Sequence, residues 1–159
     1  MTEGATGPSE TIAEAPKKMG RNRGIDVFLL ISRLALGVIF LYAGYVKLRE
    51  PWELFAMNID SYKILPLAMA ETAAHAIPWL EIALGVWLVA GIWLRASGTV
   101  ASLVLGTFIV LMARAYAKGM QIDCGCFGSG DPISWKTLLR DGSMAADAVA
   151  MTVLAFGRR

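Results

Sequence analysis

The two cysteines of the chain lie one residue apart, in Asp123-Cys124-Gly125-Cys126-Phe127-Gly128-Ser129-Gly130. Neighbouring thiols can exchange with a disulfide, hold a metal, or do neither. Zinc takes four ligands from Cys, His or carboxylate at set spacings, and two thiols without a nearby histidine fall short. No metal is therefore assigned, and a linear two-thiolate Cu(I) site stands only as a minority reading, since soft metals take soft ligands. A disulfide across Cys-x-Cys is tight. Two residues of extended chain put the Cα atoms near the upper limit of disulfide geometry, about 6.8 Å. A turn at Gly125 shortens the distance, and glycine tolerates the backbone angles that such a turn needs. The closed form would be strained, which raises its reduction potential and marks an exchangeable bridge. Closing so short a loop also contributes little through chain entropy. The spacing argues against a structural staple. Lys118 and Lys136 flank the loop and favour thiolate, while Asp123 opposes it. Gly128, Gly130 and Pro132 make the loop turn-rich, as a mobile exchange site would be.

What the thiols meet depends on the elements around them. The chain has 159 residues, of which 56% are hydrophobic and 18% charged, and a mean hydropathy of +0.54. Soluble domains carry about 25% charge, so this composition tilts toward a membrane. The length suits one domain. A net charge of +2 without a basic stripe gives no reason to expect nucleic acid. Residues 1–24 are polar and cannot bury enough surface to fold, so a disordered tail is expected there. The tail is not read as a signal peptide, because the apolar run after it starts late, is too long and lacks a small-residue cleavage site. Residues 25–159 then form a single membrane domain.

Four apolar stretches follow, at about 27–46, 77–94, 97–116 and 138–156. The second can extend backward through Leu67–Ala76, LAMAETAAHA. Each is close to the roughly 20 residues that cross a hydrocarbon core as a helix. A soluble bundle would need a charged outer face, and residues 34–46 and 97–113 carry no charge. The expected fold is an all-α bundle of four transmembrane helices in a bilayer. Lys17, Lys18, Arg21, Arg23, Arg95, Arg158 and Arg159 outnumber Arg49, Lys63, Lys118, Lys136 and Arg140 at the opposite ends. The positive-inside rule then places both termini in the cytoplasm. The Cys-Gly-Cys loop falls on the extracytoplasmic face of a bacterial inner membrane, where disulfides form and exchange. Trp52, Trp79, Trp93 and Trp135 fall near span ends, as interfacial aromatics do.

Ionisable groups inside spans are costly, so they pair or face a cavity. Arg33, Glu81, Arg114 and Asp147 are such groups, and Arg33 with Glu81 or Asp147 is the expected pairing. They are either structural staples or the lining of a proton path or polar cofactor pocket. Gly37 and Gly44 share a face with Arg33, and Gly98, Ser102 and Gly106 form a small-residue ladder suited to close helix packing. His75, the single histidine, is interfacial or, in the functional reading, a proton shuttle to the thiols.

The stretch SRLALGVIFLYAGYVKLREPWELFAMNIDSYKILP resembles the opening of the MauE/DoxX family of small bacterial membrane proteins. Arg33, Gly37, Phe40, Gly44, Lys47 and Leu48 match its Arg…Gly…Gly-x-x-Lys-Leu pattern. Pro51, Tyr62, Leu65 and Pro66 resemble its extracytoplasmic connection, and Glu81, Gly85 and Gly91 its second span. DCGCFG followed by Trp135, Leu138 and Asp141 is similar to the MauE branch. The polar tail departs from the pattern. The resemblance covers about residues 27–155. It implies a four-helix integral membrane protein linked to methylamine metabolism and to maturation of a disulfide-rich dehydrogenase, with a thioredoxin-like partner. The DoxX branch is associated with quinol oxidase and sulfur chemistry.

The expected function is a membrane thiol–disulfide relay, with Cys124 and Cys126 as the catalytic pair. They would pass electrons between an extracytoplasmic thioredoxin-like protein and a membrane acceptor such as a quinone. Arg33 and Glu81 would line the acceptor pocket. The alternative is a non-catalytic scaffold or assembly subunit of a redox complex. A small-molecule transporter ranks below both, because no broken-helix pair or inverted repeat is evident. A homodimer would bring four thiols to one axis.

Overall fold

A computed structural model describes residues 23–128 and 130–157. Among these residues the chain is all-helical, with α1 Arg23–Arg49, α2 Trp52–Ser61, α3 Leu67–Ala90, α4 Leu94–Ala117 and α5 Trp135–Gly157. The expected tail lies outside the described residues up to position 22, and α1 already includes Arg23 and Gly24. The stretches at 27–46, 97–116 and 138–156 fall inside α1, α4 and α5. The second stretch shifts. α3 starts at Leu67, so LAMAETAAHA is helical, and it stops at Ala90. Gly91 is the reason for that stop. It takes a left-handed φ of 70°, and the N–H groups of Gly91 and Ile92 turn back to the carbonyls of Leu88 and Trp87 at 3.1 and 3.2 Å. These bonds close the last turn of the helix. At the start of α5, Ser134 N–H donates to Thr137 Oγ1 at 2.8 Å and Thr137 N–H donates to Ser134 Oγ at 3.3 Å. This reciprocal cap satisfies donors that the first turn leaves open.

α1, α3 and α4 are long and apolar enough to cross a membrane. α5 is of similar length but carries Lys136, Arg140, Asp141 and Asp147 and does not reach that apolarity. The four long helices share one buried cluster: Leu29, Leu36 and Phe40 of α1, Leu84 and Leu88 of α3, Ala101 of α4, and Ala148 and Met151 of α5. Ile31, Leu103, Val110, Leu139 and Val153 point outward, each more than 60% exposed. Apolar side chains on the outside of the helices suit a lipid surround.

α1 packs chiefly on α3, and α4 on α5. The α1–α3 contact depends on glycine. A Cβ on Gly85 would lie 2.8 Å from the Gly37 carbonyl oxygen and 2.9 Å from Leu41 N, and one on Gly44 would lie 2.8 Å from the Pro78 carbonyl oxygen. In the α4 ladder, a Cβ on Gly98 would meet Thr152 Oγ1 at 2.7 Å, and Ser102 Oγ lies 3.2 Å from the same atom. Gly106 has nothing within 4 Å. The first two rungs pack on α5 and the third does not.

The short helix α2 sits in the α1–α3 connection. It buries Phe55 and Ala56 against Ala74, with Ile59 and Ile77 around them. The Cys loop lies at the same end, over α2 and the last turn of α1. Gly85→Val should destabilise the purified protein in detergent by about 1–3 kcal/mol through backbone overpacking. Gly106→Ala should leave its thermal unfolding midpoint unchanged or slightly raised. Equal effects of the two substitutions would contradict this account of the α1–α3 contact.

Candidate functional site

The chain closes on itself between residues 122–124 and 131–133. Cys124 N–H donates to the Asp131 carbonyl at 2.9 Å and Ile133 N–H to the Ile122 carbonyl at 3.0 Å, around an isolated antiparallel bridge between Asp123 and Pro132. Asp123 Oδ2 accepts from Gly130 N–H at 3.0 Å. The carbonyls of both cysteines are anchored from the helices below. Tyr62 donates its hydroxyl to the Cys124 carbonyl at 3.1 Å, and Lys47 Nζ donates to the Cys126 carbonyl at 2.6 Å. The glycine-rich loop is thus fastened to the helices rather than hung from them. Gly125 has a left-handed φ of 68°, the turn expected at that position.

Both cysteines are free thiols, and Cys124 is buried. Cys126 N–H lies 3.4 Å from Cys124 Sγ. Asp131 Oδ2 is 3.7 Å and Arg140 Nη2 4.0 Å from the same sulfur. Cys126 Sγ instead faces inward, 3.9 Å from Met112 Sδ of α4. It lines a cavity of about 40 Å³ with Glu81, Asp141, Phe108, Phe127 and Met144 among its walls. The two thiols therefore differ. Cys124 is lowered to about 7, because the Cys126 thiol donates to it; burial opposes this, and the Cys126 N–H adds to it. The same hydrogen bond, with burial, pushes Cys126 well above the ordinary thiol range. Tyr62 is also raised, by burial first and then by the thiols, so its phenol keeps the proton it donates.

The charges within the expected spans do not pair as expected. Glu81 accepts both bonds from Lys47, at 2.8 and 2.9 Å, with the two side chains 1% and 5% exposed. Lys47 lies over the Phe55 ring at 5.4 Å. Arg33 stands fourteen residues earlier on α1, a rise of about 21 Å, so it cannot reach Glu81. Its guanidinium packs against Gly91 at the end of α3, where a Cβ would overlap Nη1, and its buried Nε has no hydrogen-bond partner. Asp147 accepts from Ser32 at 2.8 Å instead of from Arg33. Arg114 is exposed on the last turn of α4. Glu81 lines the small cavity beneath Cys126, and Arg33 does not. His75 is exposed, with Nδ1 3.0 Å from the Glu71 carbonyl and its ring 4.6 Å from Trp52.

Arg140, Asp131, Asp141 and Met112 lie near the thiols and carry no functional reading from sequence alone. Arg140 binds Asp131 Oδ2 through Nη1 at 2.8 Å and Asp141 through Nε at 2.8 Å and Nη2 at 3.3 Å. It also covers Phe127 at 4.8 Å. The ligand atoms of Cys124, Cys126 and Asp141 all lie within 4.8 Å of one another. Met112 completes the group. The contacts between loop and helices do not follow from sequence spacing, because each joins segments whose register only the fold sets.

Lys47→Met leaves a carboxylate buried without its partner and should cost about 3–5 kcal/mol, read from chemical unfolding. Lys47→Met combined with Glu81→Leu should recover most of the loss, and no recovery would contradict the pairing. Thiolate absorbance at 240 nm should rise by one group per chain as pH passes through 7, with the second thiol silent until strongly alkaline pH. Cys126→Ala should move the Cys124 midpoint up toward the ordinary value of about 8.5. An unmoved midpoint would rule out Cys126 as the cause.

The profile of the family described as "Methylamine utilisation protein MauE" matches residues 25–155. Two curated relatives carry the name Methylamine utilization protein MauE. The one from Paracoccus denitrificans is 31% identical over 75% of this chain and 65% of its own length. The one from Methylorubrum extorquens is 29% identical over 77% of this chain and 67% of its own length. The chain thus spans about two thirds of the relatives it matches. No solved structure gives a significant match. The apolar helices, the Cys-Gly-Cys loop and this match over nearly all of the helical region agree, and the chain belongs to the MauE family.

Proposed function

We propose that this chain is a membrane thiol–disulfide relay, and the observation that carries the reading is the unlike placement of the two thiols. Cys124 Sγ has the Cys126 N–H at 3.4 Å and Arg140 Nη2 at 4.0 Å, donors that favour a thiolate, while Cys126 Sγ faces inward to Met112. Thiol exchange needs an attacking thiolate and a resolving thiol. The Cys124 thiolate attacks one sulfur of a partner disulfide, forming a mixed disulfide and releasing a partner thiolate. Cys126 then gives up its proton and attacks Cys124 Sγ, which frees the reduced partner and closes the Cys124–Cys126 bridge. The reverse steps oxidise a partner dithiol. Each cycle moves two electrons and two protons, which a lipid-soluble quinone takes up or returns as quinone and quinol. An apolar groove of about 500 Å³ between α3 and α4 is of a size to hold such a ring, with Tyr62, Leu80, Leu103 and Phe108 in its walls. The cavity beneath Cys126, at about 40 Å³, is too small for one.

In this reading α5 crosses the membrane with α1, α3 and α4, both termini are cytoplasmic, and the loop faces the extracytoplasmic side. The support is the length of α5, its packing against α4 and α1, and the bias of Lys and Arg toward the other end. The partner is a thioredoxin-like protein or the redox enzyme being matured. The names of the relatives make methylamine utilisation the process to which this chain would contribute. Arg140 and Asp131 cover Cys124 and are each about a third exposed, so the docking partner displaces them.

Cys126→Ser keeps a hydroxyl donor beside Cys124 and should trap a mixed disulfide with an oxidised thioredoxin-like protein in membranes. Cys124→Ser should trap none, and Cys124→Ser/Cys126→Ser should abolish transfer while the chain still inserts. Transfer, or full maturation of the partner enzyme, without either cysteine would contradict the relay and leave a scaffold.

A further inference from the structure

We propose that the reduced Cys124–Cys126 pair and Met112 form a three-sulfur binding site for monovalent copper. The proposal stands on ligand geometry and does not depend on the thiol-exchange reading. A metal–sulfur bond of about 2.3 Å places the sulfurs of a trigonal site about 4 Å apart. Cys126 Sγ and Met112 Sδ are already separated by 3.9 Å. Cys124 Sγ lies within 4.8 Å of Cys126 Sγ. Met112 is fully buried, Cys124 is 1% exposed and Cys126 is partly buried, so little water reaches the sulfurs. Gly125 sets the turn that brings the two Cys side chains together, and the loop is anchored by Tyr62 and Lys47.

The choice of metal follows from what the neighbours leave free. Zinc would need a carboxylate, histidine or further thiolate to complete four ligands. Asp141 is the carboxylate grouped with both thiols, and both its oxygens accept from Arg140; Asp131 Oδ2, 3.7 Å from Cys124 Sγ, also accepts from Arg140. The thioether remains, and thiolate with thioether selects the soft Cu(I) ion. Binding replaces the two thiol protons, which leave to solvent, and no electron moves. The occupied site carries one net negative charge. Arg140 Nη2, 4.0 Å from Cys124 Sγ, and Lys47, bonded to the Cys126 carbonyl, stand beside that charge. Copper and a Cys124–Cys126 disulfide exclude each other, because the ion needs both thiolates.

The test uses the full chain in lipid nanodiscs, reduced under anaerobic conditions, with Cu(I) delivered as its bicinchoninate complex. One Cu(I) per chain is expected, with X-ray absorption showing three sulfurs. Met112→Leu should weaken binding about tenfold and remove one sulfur from the spectrum. Met112→Cys should restore both, which separates ligation from any fold defect. A tenfold excess of Zn(II) should not displace the copper. Binding no tighter than in Cys124→Ser/Cys126→Ser would overturn the proposal. So would equal two-sulfur ligation in the wild type and Met112→Leu, or displacement by zinc.

Discussion

One buried ammonium holds the site together. Lys47 Nζ, at the end of α1, donates to both oxygens of Glu81 on α3 and to the carbonyl of Cys126 in the loop. Three segments remote in sequence meet at one nitrogen, and the Phe55 ring of α2 shields it. An uncompensated charge in such a setting is expensive, so the three acceptors and the lysine fix one another's positions. The geometry of the thiols follows from this, because the Cys126 carbonyl cannot move without stripping Lys47 of a partner.

The glycine contact between α1 and α3 is the precondition for that ion pair. Gly37, Gly44 and Gly85 let the helix backbones approach until side chains one turn further on can meet. Gly44 faces the Pro78 carbonyl and Glu81 Cβ, and Lys47, one turn later on the same face of α1, pairs with Glu81. Small residues at the crossing and a charge pair at its end therefore act as one device. Arg140 plays a parallel part on the outer side of the loop, tying Asp131 of the loop to Asp141 of α5 across Cys124. The thiol pair is thus bounded by one cation beneath and one above.

Much of this was legible in the sequence, for identifiable reasons. Long apolar runs in α1 and α4 carry their own evidence, because nothing but a helix satisfies its backbone in lipid. The true start of α3 was open, since Ala and Thr in LAMAETAAHA are apolar enough to join the helix but not to demand it. The short helix α2, at ten residues, is too short to stand out as a span. The Cys-Gly-Cys turn was readable because two-residue spacing leaves few geometries. The partners of the charges were not. Arg33 and Lys47 are both cations on a glycine-bearing face of α1, and only the antiparallel register of α1 and α3 decides that Glu81 meets Lys47. Met112 was invisible for a related reason: a methionine in an apolar helix looks like core until a loop folds back over it.

The central claim is that Cys124 and Cys126 interconvert between dithiol and disulfide as an exchangeable couple. The most direct measurement is a redox titration of the wild-type chain in lipid vesicles, following the two thiols by alkylation and mass. A single two-electron transition to an intramolecular Cys124–Cys126 bridge is expected, at a potential above the roughly −300 mV below which structural disulfides lie. Failure to form that bridge at any potential, or a midpoint well below that value, would contradict the account.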